Sequence, residues 1–211
     1  MLYGGLIRGR TYLVSGPPGT GKTTLGWHFL CDGAARGEAA MYISFGESTE
    51  QLLANAAASG LDTTGVHIVD LSPSAGLFAR EESYDIFSPG EVEREPTTIR
   101  IVEAYERIAP RRIFVDSMTD ELRNLTEFRV TDVGISYLAD NVIFLRYVEQ
   151  KSPGRSELRK AVGVLKKRLG DFEKGLRSFE TTSHGIEVGQ PIVLSSIFAQ
   201  LPLVESDASG A

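Results

Sequence analysis

The run Gly16-Pro17-Pro18-Gly19-Thr20-Gly21-Lys22-Thr23 constrains this chain more than any other feature, because the residues on either side fix what it can be. Before it stands Thr11-Tyr12-Leu13-Val14-Ser15, a β-branched and aromatic stretch bounded by glycines. After it, Thr24 to Ala35 carries Leu25, Phe29 and Leu30 at helical spacing. A strand, a glycine-rich turn and a helix in that order make a concave nest of backbone N–H groups, backed by the positive end of the helix dipole. Such a nest suits a polyphosphate. Gly16, Pro18, Gly19, Thr20, Gly21, Lys22, Thr23 and Thr24 are therefore the expected nucleotide-binding residues. Lys22 is placed to reach the β- and γ-phosphates, and the Thr23 hydroxyl is a hard oxygen ligand for Mg²⁺. ATP or ADP with Mg²⁺ is the expected cofactor set.

Downstream, short apolar runs alternate with helical spacing. Ala39 to Phe45 reads as a second strand, and Thr49 to Ser59 as an alanine-rich helix begun by Ser48 or Thr49 and ended by Gly60. Val66 to Leu71 is a third strand. Residues 72 to 96 mix acids, Pro and Gly and read as a surface excursion, after which Ile101, Ala104, Tyr105 and Ile108 restore a helical face. Ile113-Phe114-Val115-Asp116 reads as a buried strand ending in a carboxylate, and Val142 to Tyr147 as another strand. The remainder, through Lys160 to Arg168, Leu176 to Thr182 and Gly185 to Val188, is hairpin-like. This order predicts an α/β fold with a mostly parallel central sheet, helices on both faces and an antiparallel C-terminal edge. A single domain over residues 1–204 is expected, with no internal repeat and a small polar tail over 205–211 that frays.

Asp116 ends its strand where a carboxylate can hold the water shell of a metal beside the loop, or else cap the next helix; the Gly16–Thr23 motif favours the metal role. Thr23 and Asp116 are thus the metal candidates. Glu47 follows the second strand and is either the base that polarises an attacking water or a solvated acid in a first helical turn. Cys31 is the sole cysteine, so no internal disulfide or multi-cysteine zinc site can form, and it reads as a small buried hydrophobe on the first helix. The formal net charge of −6 opposes a broad grip on nucleic acid. No apolar run is long enough for a membrane span and Met1 to Arg10 lacks a secretory core, so a cytoplasmic location is expected.

From Tyr3-Gly4-Gly5-Leu6, and most sharply through Arg10 to Thr23, the sequence resembles the KaiC-like branch of the RecA-fold ATPases. Tyr84 to Val92, Arg112 to Ser117, Gly134 to Asn141, Lys166-Lys167-Arg168 and Ser183-His184-Gly185-Ile186 extend the likeness over nearly the whole chain. The resemblance implies a RecA-like P-loop domain that binds nucleotide between the subunits of a homo-oligomeric ring, usually a hexamer, and acts in signalling with a protein partner. It implies that Lys166 and Arg168 reach a neighbour's γ-phosphate, with Arg168 as a finger in trans; without it the same residues would read as a solvated basic patch. It also implies that Thr182 and Ser183 line the adenosine side, although Ser183 stands where an Asp is common.

Two departures carry consequences. The family usually has a Glu pair after the second strand and this chain reads Gly46-Glu47, so either Glu47 substitutes as base or turnover is slow and the protein is a nucleotide-gated scaffold. Between the Asp116 strand and Val130 the family has a helix and a further core strand, whereas Thr126-Glu127-Phe128 joins the two almost directly; a segment is expected to be absent near 126–128. The chain likewise begins inside the family's opening motif. The resemblance also sets Ser136-Tyr137 at positions where a circadian clock member of the family phosphorylates itself, which makes autophosphorylation a further expectation. A DNA-binding recombination or repair ATPase of the same fold is the alternative, resting on Arg123 and Arg129.

Overall fold

The computed structural model describes residues 1–73, 94–116, 139–152, 155–182 and 185–192. Strand β1 (Tyr12–Ser15) leads through the glycine-rich turn into helix α1 (Lys22–Ala35), then β2 (Ala40–Ser44), α2 (Thr49–Ala58) and β3 (Val66–Asp70). Helix α3 (Arg94–Ile108) precedes β4 (Arg112–Asp116). Strands β5 (Asn141–Ser152), β6 (Arg155–Lys167), β7 (Leu176–Thr182) and β8 (Gly185–Ile192) follow as antiparallel neighbours. The α/β class, the parallel pairs and the antiparallel C-terminal edge agree with the sequence reading.

The sheet, however, runs in two parts among the described residues. One has the order β1-β5-β6-β7-β8 and the other β3-β2-β4. β1 pairs in parallel with β5, and β2 in parallel with both β3 and β4. Strand β2 is buried along its whole length because helices cover both faces. Ala40 and Tyr42 face Trp27 and Leu30 of α1 and Leu52 and Ala56 of α2, while Met41 and Ile43 face Val69, Leu71 and Ala104 of α3. Period-two alternation thus assigns α1 and α2 to one side and α3 to the other.

Helix α2 is fixed at its start by a capping box, in which the Ser48 hydroxyl accepts from the Gln51 amide and the Gln51 side chain accepts from the Ser48 amide. Asp70, at the end of β3, accepts from the Thr49 amide at 2.7 Å and from the Ser72 hydroxyl at 2.6 Å, joining helix start to strand end. Burial raises the Asp70 pKa, but the hydrogen bonds from Ser72 and Thr49 lower it more, and it stands below the usual carboxylate value.

Three expectations need correction. The buried face of α1 runs through Gly26, Trp27, Leu30 and Gly33, with Leu25 and Phe29 half-buried. The glycines decide this, because a Cβ at Gly26 would collide with the Phe114 ring and one at Gly33 with the Arg112 side chain, so β4 sits closest where α1 has no side chain. Strand β4 is not buried: Ile113 is 39% exposed, since β4 pairs with β2 on one side only among the described residues. Cys31 is half-buried against the α1–α2 cluster, and burial, then the Asp62 charge, pushes its thiol pKa up. The expected surface excursion lies largely outside the described residues, as do the junction at 126–128 and the tail.

Candidate functional site

The turn between β1 and α1 is shaped by contacts that exclude side chains. A Cβ on Gly16 would stand 2.5 Å from the Leu145 carbonyl oxygen of β5, so the loop enters flush against the neighbouring strand. Gly19 and Gly21 hold φ of +76° and +103°, the left-handed region in which a β-carbon clashes. Thr20 is fully buried and its hydroxyl donates to the Pro17 carbonyl at 2.8 Å, locking the turn from within. Helix α1 begins at Lys22, two residues earlier than its apolar spacing indicates, so Lys22, Thr23 and Thr24 form the first turn. Their amides are donors that a helix cannot satisfy internally.

Lys22 is folded over this nest, its ammonium donating to the Gly16 carbonyl at 2.8 Å and the Pro17 carbonyl at 3.1 Å. Neutral carbonyls are weaker partners for an ammonium than phosphate oxygens. The Thr23 hydroxyl donates to Asp116 Oδ2 at 2.6 Å. That bond uses the hydroxyl hydrogen and leaves the oxygen's lone pairs for a cation. Among the described residues no three His, Cys, Asp or Glu converge on one point. Magnesium does not require such a cage, since it is held through one or two protein oxygens together with phosphates and water. Thr23 and Asp116 therefore fit Mg²⁺ beside a bound triphosphate.

Tyr42 joins the same carboxylate, its buried hydroxyl donating to Asp116 Oδ2 at 3.0 Å. Burial first, and then the Asp116 charge, raise the phenol's pKa far above its usual value, so it acts as a hydrogen donor. Glu47 has its backbone fixed by Ser44, whose hydroxyl donates to the Glu47 carbonyl and accepts from its amide, while Glu47 Oε2 accepts from the Asn55 amide group at 3.0 Å. Gly46, beside it, has open space around it.

Thr182 ends β7 on the same side as the loop. Its neighbour Thr181 comes closer, with Oγ1 3.3 Å from where a Cβ on Gly21 would stand, and Phe179 backs the same glycine at 3.1 Å. Tyr147 of β5 places its hydroxyl 2.9 Å from the corresponding point on Gly19. Tyr42, Tyr147, Phe179 and Thr181 escaped the sequence reading because strand register, which no local pattern encodes, brings them there. Ser183, Ser136, Tyr137, Arg123 and Arg129 lie outside the described residues.

Lys166 and Arg168 stand at the other end of the sheet. The register sets Tyr12 beside Asn141 and Asn141 beside Lys167, whereas the loop follows Ser15, which pairs with Phe144. Lys166 donates to the Ala139 carbonyl at 2.8 Å, and the exposed Arg168 pairs with Asp140 at 3.4 Å. The structure does not bring these two residues to the loop of their own chain.

A family model described as ATPase: KaiC matches residues 1–133, which include the loop, Glu47 and Asp116. The chain belongs to the KaiC ATPase family. Among curated KaiC proteins, the circadian clock protein KaiC3 of Synechocystis sp. is 28% identical over 233 residues, covering 94% of this chain and 43% of its own. The circadian clock oscillator protein KaiC of Thermostichus vulcanus is 28% identical over 214 residues, covering 89% of this chain and 40% of its own. The KaiC of Prochlorococcus marinus is 27% identical over 226 residues, covering 88% and 43%. This chain spans less than half the length of these KaiC relatives. The KaiC3 alignment is longer than the 211-residue chain, so KaiC3 carries residues inside the matched region that this chain lacks. Among the described residues no helix is long and apolar enough to cross a membrane.

Proposed function

We propose that this chain binds Mg-ATP in the Gly16–Thr23 loop, hydrolyses it slowly, and couples nucleotide state to a homo-oligomeric ring, usually a hexamer, in a regulatory role with a protein partner. The observation that carries the reading is the Thr23–Asp116 hydrogen bond, which joins the helix after the loop to the carboxylate at the end of β4. Amides of the first turn and the Lys22 ammonium hold the phosphates, and Thr23 and Asp116 hold Mg²⁺, which when bound neutralises charge on the β- and γ-phosphates. Thr182 and Ser183 line the adenosine side. Glu47 orients the attacking water once it is released from Asn55.

Lys166 and Arg168 complete the site of a neighbouring subunit. Their place at the end of the sheet away from their own loop supports action in trans, and head-to-tail contacts of this kind close rings. An acidic chain has little to offer a DNA backbone, so the recombinase reading stands behind this one. A cytoplasmic location accords with the same reading.

A second reading, a nucleotide-gated scaffold with almost no turnover, is favoured by the Glu47–Asn55 bond next to a glycine where the family carries an acid. Autophosphorylation at Ser136 or Tyr137 would appear as an added phosphate by intact mass after incubation with Mg-ATP.

Native mass measured with ATP, with ADP and without nucleotide, alongside phosphate release, tests the main reading. It expects a nucleotide-dependent oligomer with slow release. One mass in all three states with no nucleotide retained would overturn it, and a nucleotide-dependent oligomer without release selects the scaffold.

A further inference from the structure

Strand β2 places a tyrosine where packing alone asks for a phenylalanine. Tyr42 is fully buried, its ring 4.8 Å from Trp27 and 5.3 Å edge-on to Phe114, so its orientation is set by aromatic neighbours on two sides. Tyr42 pairs with Phe114 across the parallel ladder and Ser44 pairs with Asp116, which puts Asp116 two residues further along the neighbouring strand, on the same face as Tyr42. A long side chain spans such a diagonal. The hydroxyl meets Asp116 Oδ2 at 3.0 Å, and it faces Thr23 as well.

Asp116 Oδ2 therefore receives two hydroxyl donors, from Thr23 at 2.6 Å and from Tyr42 at 3.0 Å. A carboxylate oxygen has two lone-pair positions, and both are used. Oδ1 is the oxygen left, among the described residues, to accept a hydrogen from a metal-bound water. The outer torsion of an aspartate is broad and roughly two-fold, so an Asp116 held through Thr23 alone could turn its plane. The second donor, fixed in the core, removes that freedom.

We propose that Tyr42 is a positioning residue for magnesium: its hydroxyl holds Asp116 with Oδ2 toward the core and Thr23 and Oδ1 toward the metal's water shell. The inference rests on the Mg-nucleotide reading above. Tyr42 touches neither nucleotide nor metal and acts through Asp116.

Its measure is the magnesium dependence of nucleotide binding, which needs no turnover. A fluorescent non-hydrolysable ATP analogue is bound to the full chain, first in EDTA and then at fixed concentration while Mg²⁺ is raised, for wild type and Tyr42→Phe. Loss of a partner to a metal-holding group typically costs about 10–100-fold in metal affinity. The Tyr42→Phe midpoint for Mg²⁺ is thus expected to rise by about that factor, with analogue affinity in EDTA unchanged. Phe retains the ring between Trp27 and Phe114, and thermal unfolding of the nucleotide-free variant checks that the core is kept. An unchanged magnesium midpoint overturns the inference. Equal loss of affinity with and without Mg²⁺ also overturns it, since a merely structural role predicts that result. A wild type that binds no analogue overturns the nucleotide reading and this inference with it, and the wild-type curve alone identifies that case.

Discussion

The hydroxyl of Thr23, in the first turn of α1, lies 2.6 Å from Asp116 Oδ2 at the end of β4, across 93 residues of sequence. One belongs to the helix that leaves the loop and the other to a strand of the second sheet. A metal beside this pair would touch both parts of the fold, and under the proposed ring reading that is the route from nucleotide to subunit boundary.

Gly46 offers a gain-of-function test. A Cβ there meets nothing within 4 Å and its φ is not in the left-handed region, so a side chain can leave the backbone at this position without strain. If slow turnover follows from the missing acid, Gly46→Glu raises the steady-state rate by about 10²–10⁴-fold, the usual contribution of a positioned general base. Phosphate release at saturating Mg-ATP measures it, and no change in rate would place the limit elsewhere.

Action in trans predicts complementation between two damaged chains. Arg168→Ala alone should lower turnover by about 10³-fold while leaving nucleotide bound. Lys22→Ala alone should bind nucleotide about 10–100-fold more weakly and turn over little at limiting Mg-ATP. Mixed before assembly, the two variants form some interfaces with an intact loop on one side and an intact Arg168 on the other, and part of the activity returns. Activity equal to the sum of the separate variants would mean that Arg168 does not act across an interface.

Acid should weaken the fold through Asp70. Its folded pKa lies below the unfolded value of about 3.9, so its contribution is complete above that pH and is lost as the pH falls through the folded value. Asp70→Asn is expected to cost about 1 kcal/mol at neutral pH, with solvent screening keeping the figure low. Urea unfolding at pH 7 and pH 3 checks this: the difference between variant and wild type should shrink at the lower pH.

Gly26→Ala tests the close approach of α1 to β4. A methyl group there meets the Phe114 ring, and overpacking of this kind costs about 1–3 kcal/mol despite the better helix propensity of alanine. A thermal melt showing equal or greater stability would mean that Phe114 has room to move aside.

Local signals carried much of the fold. The loop, β1, β2, α2 and β3 were legible because turn glycines, apolar runs and the Ser48 cap lie within a few residues of the structure they specify. The face of α1 is not legible in the sequence, because Gly26 and Gly33 are packing residues with no hydrophobic signature. Strands β5 and β6 run longer than expected, since charged residues such as Glu149, Glu157 and Arg159 continue a ladder whose apolar core ends earlier. Tyr42, Tyr147 and Thr181 stayed hidden for a different reason: each reaches the site from another strand, and a one-residue change of register would turn it away.

The most direct test of the whole account is calorimetric titration of the chain with a magnesium ATP analogue, wild type beside Lys22→Ala. One nucleotide per chain should bind saturably in the wild type, and binding should weaken by about 10–100-fold when the ammonium is removed, as loss of charge-assisted hydrogen bonds implies. No heat of association in the wild type, or equal affinity in the variant, would contradict it.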